Sequence, residues 1–287
     1  MKSDTTVVTS ELLNAFKSAK SAEDKMSDHM YIQVVVDMSA SRQLVDSVKQ
    51  FLIPNSPNVN IEVDKLVEVN PTRPISARDF SIIIAGDNTE DVAAVANNFS
   101  SSHIPCAIIV DNMVIAPDDS QIKSLEAAPI SLILACDQQQ LKDKLSNWMV
   151  DVATEQQVAL ATLFPEVKDT VIAQMIKGCA TENAAIALIP FLGSADMPAM
   201  VANQVKMAIG IAAVNGKQIS WAMTPEILSV IGAGYLFRQI VRLVPVNSSV
   251  IKNGVKVGVG FGGTYLIGKS LQSYYGVAKN FKTYLPF

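Results

Sequence analysis

Four short, nearly unbroken apolar runs constrain this chain most: Tyr31–Val36, Phe80–Ala85, Cys106–Val110 and Ile130–Ala135. Each is too short for a core helix, and three are rich in Val or Ile, so they read as strands buried on both faces. Each is followed by a polar turn. Apolar residues at helical spacing come after three of the turns: Leu44, Val45, Val48, Phe51 and Leu52; then Val92, Val95 and Phe99; then Leu141, Leu145 and Trp148. Ile61, Val63, Val67 and Val69 alternate in part, as in a half-exposed strand. Strand and helix in alternation predict a mostly parallel sheet covered by helices. One segment has a second reading: Cys106–Val110, Asp111-Asn112 and Met113–Ala116 also fit a hairpin.

After about residue 151 the strand pattern stops. Asp169–Thr181 carries Val171, Ile172, Met175, Ile176 and Cys179 at helical spacing. Pro198–Asn215 is a second helix, with Asp196 as a candidate N-cap. Thr224-Pro225-Glu226 starts a third, running to about Leu243, and Ser248 or Ser249 opens a fourth. Gly254, Gly258 and Gly262 then fall on one helical face, which predicts close approach of another helix. The expected organisation is a polar helical leader (1–28), a Rossmann-like α/β domain (29–150) and an all-helical domain (151–287). Charged residues are only 17% of the chain, against about 25% in an average soluble domain. Apolar residues reach 49%, which excludes intrinsic disorder.

In open α/β sheets, ligands bind at the turns beyond the strands' carboxyl ends. Those turns hold Asp37, Ser39, Asp87, Asp111 and Asp137, the candidate ligand-binding residues. The carboxylates would either converge on a small ligand or cation, or serve ordinary turn chemistry. No metal site or cofactor is expected. His29 and His103 have no Cys, His or acid at ligand spacing, and no H-E-x-x-H, C-x-x-C or G-x-S-x-G occurs. Cys106, Cys136 and Cys179 read as small buried hydrophobes, and so few cysteines fit a reducing compartment.

Gly263-Thr264-Tyr265-Leu266-Ile267-Gly268-Lys269-Ser270 matches the phosphate-loop pattern G-x-x-x-x-G-K-[ST] letter for letter. That pattern must follow a buried strand, whereas here a glycine ladder at helical spacing runs into it. The expectation is a packed helix. The first strand's turn, where a phosphate loop belongs, reads Asp37-Met38-Ser39-Ala40-Ser41-Arg42-Gln43, without glycine.

The charge is divided. Residues 1–150 hold 12 Lys and Arg against 20 Asp and Glu; from 201 onward nine bases face one acid, Glu226. Arg238, Arg242, Lys252, Lys256 and Lys269 are the candidate surface for a membrane or a partner. Aromatic residues interleave with them, the composition of an interfacial binder. Neutralisation by the acidic half, or a helical core with solvated lysines, would account for the same residues. Nucleic acid is not expected, because no reading motif accompanies the charge. No signal peptide is expected in Met1–Lys25, which has acids and polar residues and no apolar core, and no uncharged apolar window reaches spanning length; the longest, Ala184–Ala195 and Val257–Gly268, hold 12 residues each.

Two segments resemble a known family. Ile189-Pro190-Phe191-Leu192-Gly193-Ser194-Ala195-Asp196-Met197-Pro198-Ala199-Met200 continues through Asn203-Gln204-Val205-Lys206-Met207 to Ile211-Ala212. Tyr235-Leu236-Phe237-Arg238-Gln239-Ile240 continues through Val244-Pro245 to Gly262–Gly268 and Tyr274-Tyr275. Over about 165–276 the chain resembles the uncharacterised helical domain fused to, or encoded beside, bacterial Era-like GTPases. The resemblance implies a helical Thr264–Gly268, a cytoplasmic location peripheral to the inner membrane, and association with GTPases. By the same analogy 30–150 is similar to a degenerate G domain, a pseudo-GTPase. It lacks Gly-Lys-Ser after its first strand, and Asn-Lys-x-Asp is replaced by Asp111-Asn112-Met113-Val114.

The function expected is therefore a non-enzymatic adaptor or scaffold. Its partners would be a protein, an Era-like GTPase among the candidates, an anionic membrane surface, or a second copy of itself. Two alternatives stand: a nucleotide-binding switch using Gly263–Ser270, and a small-ligand or cation-binding domain at the sheet's carboxyl edge.

Overall fold

A computed structural model describes residues 29–73, 75–112, 116–118, 120–122, 128–188, 196–217, 229–230 and 249–284. Residues 27–170 form one compact unit, and the helices from Val171 onward belong to a second.

The first unit is built on five parallel strands: β1 Met30–Val36, β2 Val59–Lys65, β3 Phe80–Ile84, β4 Cys106–Val110 and β5 Ile130–Leu134. Their order is β2-β1-β3-β4-β5, a doubly wound sheet. Central strands β3 and β4 are buried at every residue, as unbroken apolar runs require. Strand β4 pairs with β3 on one side and β5 on the other. Both its edges are used, so the hairpin reading of Cys106–Ala116 has no place in the sheet.

Edge strand β5 departs from the expectation of full burial, whereas edge strand β2 is half-exposed as its partial alternation predicts. Leu132 of β5 is partly exposed, and β2 leaves Val63 64% exposed. The alternating stretch 61–69 ends as a strand at Lys65; Leu66–Glu68 is a 3-10 turn that tucks Leu66 inward and Val67 outward.

Helices α1 (Arg42–Phe51), α2 (Thr89–Ser101) and α3 (Gln138–Val152) follow β1, β3 and β5. Helix α2 and the 3-10 turn cover one face, where Phe99, Val95 and Val92 meet Val35, Ile83 and Ile108. Helices α1 and α3 cover the other with Leu44, Val48, Phe51, Leu141 and Leu145. There Trp148 meets Phe80 edge-on, with ring centroids 5.5 Å apart. The short α4 (Gln157–Leu163) and the 3-10 turn Pro165–Val167 complete this unit.

Among the described residues three long helices follow: α5 (Lys168–Leu188), α6 (Asp196–Val214) and α7 (Ser249–Tyr284). Helix α6 closes with Gly216 at φ +74°, where Gly216 N–H donates to Ala213 O and Lys217 N–H to Ala212 O. That is a Schellman stop, and glycine adopts its left-handed backbone without strain. The expected close approach of glycines occurs on α7, but at other positions. Nothing among the described residues lies within 4 Å of a Cβ built on Gly254, Gly258 or Gly262. At Gly268 that Cβ would sit 2.6 Å from Ile176, and at Gly260 3.1 Å from the Asn183 carbonyl. The packed stripe is thus Gly260, Thr264 and Gly268. The leader at 1–28, and all of the expected helix from Thr224 to Leu243 except helical 229–230, lie outside the described residues. Among the described residues no helix is long and apolar enough to cross a membrane.

Candidate functional site

The strand order reverses direction between β1 and β3, so the crevice beyond their carboxyl ends is where such a sheet opens to a ligand. Here the chain's own groups fill it. Asp37, just past β1, is 1% exposed. Its Oδ1 accepts from the Ser39 N–H at 3.0 Å, the Ser39 hydroxyl at 2.8 Å and the Asn88 side-chain amide at 2.8 Å. Its Oδ2 accepts from the backbone N–H groups of Gly86 and Asn88, both at 3.1 Å. The Ser39 hydroxyl in turn accepts the Asp87 N–H at 2.8 Å. The β1–α1 and β3–α2 turns are therefore knotted through one carboxylate.

Burial alone would raise the Asp37 pKa, but the hydrogen bonds from Ser39 and Asn88 together outweigh it and hold the group below its ordinary value. The knot needs a glycine at position 86. A Cβ there would lie 2.3 Å from Ser39 Oγ and 2.5 Å from the Ala40 nitrogen.

The other edge carboxylates lie beyond the next two strands, β4 and β5. Asp111, after β4, accepts the Ser41 hydroxyl at 2.5 Å. Ser41 also caps α1, accepting the Leu44 N–H. Asp137 caps α3 through the Gln140 N–H at 2.8 Å. Asp111 and Asp137 line a cleft of about 240 Å³ with Ser41, Gln43, Ser47, Asn112, Cys136 and Gln138. Among the described residues no Lys, Arg or His lines it, so its chemistry suits hydroxyl or amine groups rather than phosphate. It abuts a groove of about 560 Å³ between α1 and α3, bordered by the Lys142–Glu166 ion pair at 2.5 Å. The five candidate residues thus divide. Asp37, Ser39 and the Asp87 backbone close the switch point, whereas Asp111 and Asp137 share the cleft. No three His, Cys, Asp or Glu side chains among the described residues are placed to hold a metal ion.

Cys136 corrects the expectation of burial. Strand β5 ends at Leu134, so the thiol sits in the turn before α3 and is exposed. Burial of Cys106 and Cys179 pushes both thiols up to about 12.

The phosphate-loop match lies inside α7. Its amides belong to helical hydrogen bonding and point along the axis, not into a cradle. Thr264 is fully buried, and Ser270 Oγ donates to the Leu266 carbonyl at 2.8 Å. Lys269 donates to Gln272 at 2.9 Å and sits 5.9 Å from the Tyr265 ring centre. Of the candidate basic surface, Lys252, Lys256 and Lys269 are on α7, while Arg238 and Arg242 lie outside the described residues.

Sequence reasoning missed one buried polar cluster. Asn183 of α5 and Gln204 of α6 both donate to Thr264 Oγ1 at 2.9 Å, and Asn203 donates to Asn183 at 3.2 Å. The available signal was three amide side chains set among the apolar residues of two helices. No protein-family model matches the chain, and no curated protein matches it.

Proposed function

We propose that this protein is a non-enzymatic adaptor. Its α/β unit presents a surface to a protein partner, and its cationic helical unit docks on the anionic inner face of a membrane. The observation that carries the reading is the filled switch point. Where a doubly wound sheet would open to a substrate, Asp37, Ser39 and Asn88 bond to one another, and Gly86 leaves no space between the turns. The docking half rests on charge: residues 171–287 carry ten Lys and Arg against three Asp and Glu. Near an anionic bilayer each such cation contributes about 1 kcal/mol. The resemblance to a domain associated with Era-like GTPases makes a GTPase the first protein partner to test.

Flotation of the full chain with phosphatidylserine-containing vesicles tests the docking half. The expected result is co-flotation at low salt and release at high salt, where the Debye length shrinks from about 10 Å to about 3 Å. A chain that stays at the bottom of the low-salt gradient has no such role.

A further inference from the structure

We infer that the exposed face of α7, centred on Phe261, Tyr265 and Leu266, enters the headgroup layer of an anionic membrane. This rests on the docking reading above and names the contact. Helix α7 has two unlike faces. Gly260, Thr264 and Gly268, joined by Ile267 and Leu271, are turned inward and packed. On the other side Phe261 is 37%, Tyr265 38% and Leu266 57% exposed. The Phe261 and Tyr265 rings stack nearly parallel, 6.0 Å apart. Gly254 and Gly258 continue this side as bare backbone.

Charge selects the occupant. The 36 residues of α7 include five lysines and no Asp or Glu. A second copy docking through the same face would lay two acid-free helices of five lysines each against one another. An acidic protein would satisfy the lysines but gives no reason to keep Phe261 and Leu266 in water. An anionic bilayer satisfies both: rings and Leu settle at the acyl boundary while lysine stems extend to the phosphates. Lys269, with its Nζ 5.9 Å from the Tyr265 ring centre, places one such cation beside the aromatic pair.

The test uses the full chain with phosphatidylcholine vesicles containing phosphatidylserine. The triple variant Phe261→Gln, Tyr265→Gln, Leu266→Gln keeps every lysine and places good helix formers at exposed positions. Its partition onto vesicles is expected to fall at least about tenfold. Tyr265→Trp provides a second reading that needs no disruptive change. Its added emission should shift to the blue with vesicles and be quenched by lipids brominated in the upper acyl chain. Undiminished flotation of the triple variant, or added emission from Tyr265→Trp that is indifferent to vesicles, would overturn the contact while leaving electrostatic docking intact. Wild-type chain that fails to float would remove both. Wild-type chain that dimerises in solution, and loses the dimer in the triple variant, would assign the face to a second copy instead.

Discussion

A single carboxylate, Asp37, joins two loops that are far apart in the sequence. It accepts five hydrogen bonds, and replacing it by Asn puts an amide where several donors converge. Asp37→Asn should cost about 2–3 kcal/mol of stability, since bonds to a charged acceptor are lost and their donors stay partly buried. Denaturant unfolding followed by Trp148 fluorescence in a Trp221→Phe background measures it. The pH dependence has a definite sign. With its folded pKa below the ordinary 3.8, Asp37 contributes stability that is complete above about pH 5. That contribution is lost as pH falls through 3.8 toward the folded value, and Asp37→Asn should show a correspondingly smaller acid-induced loss. The residue's presence at a strand's carboxyl end was legible in the sequence; its inward role was not, because five partners at once are a property of the folded loops. Cysteine chemistry separates in the same way. Cys136 is exposed, whereas Cys106 and Cys179 are buried with thiols near 12. Alkylation of the native protein at neutral pH should therefore modify one cysteine promptly, at position 136 by mass spectrometry, and all three after unfolding.

Elements built from unbroken runs were the most legible. Strands β3 and β4 sit where Phe80–Ala85 and Cys106–Val110 placed them, because a strand buried on both faces has no polar alternation to mislead the reading. Edge strand β2 was harder, since its exposed side continues into a 3-10 turn with the same alternating letters. On α7 the glycines were visible but their partners were not. Gly254, Gly258 and Gly262 form the regular ladder, yet the packed positions are Gly260 and Gly268, fixed by where α5 brings Asn183 and Ile176. Helix endings show a comparable contrast. The stop of α2 has the same Schellman pattern as that of α6: His103 N–H donates to Ser100 O and Ile104 N–H to Phe99 O. Where α6 uses Gly216, α2 uses His103 at φ +60°, a conformation that crowds a Cβ. His103→Gly should relieve that crowding and raise stability by roughly 1 kcal/mol, less the entropy of a freer unfolded chain. A higher denaturation midpoint with an unchanged denaturant slope is the expected observation.

At the scale of the whole molecule, charge and compactness divide the chain alike. Residues 27–170 hold 20 acids and nine bases; residues 171–287 hold three acids and ten bases. The unequal charge was legible from composition, but the division at Thr170 depends on α4 and the 3-10 turn 165–167, whose contact with α3 leaves no local signature. Each unit has its own stabilising polar centre: Asp37 in the first, and Thr264 with Asn183 and Gln204 in the second. Thr264→Val removes the hydroxyl that both buried amides donate to, at a cost of about 2–4 kcal/mol. The two centres share no partner, so in the Asp37→Asn, Thr264→Val double variant each unit should lose what it loses in its single variant, to within about 0.5 kcal/mol. With Trp221→Phe in the background, Trp148 is the only tryptophan and reports the first unit, while far-UV circular dichroism is weighted toward the long helices of the second. Asp37→Asn should move the fluorescence transition and Thr264→Val the dichroism transition, each leaving the other in place. If either substitution drags both transitions together, the chain unfolds as one cooperative body, joined through α5, which carries residues of both units.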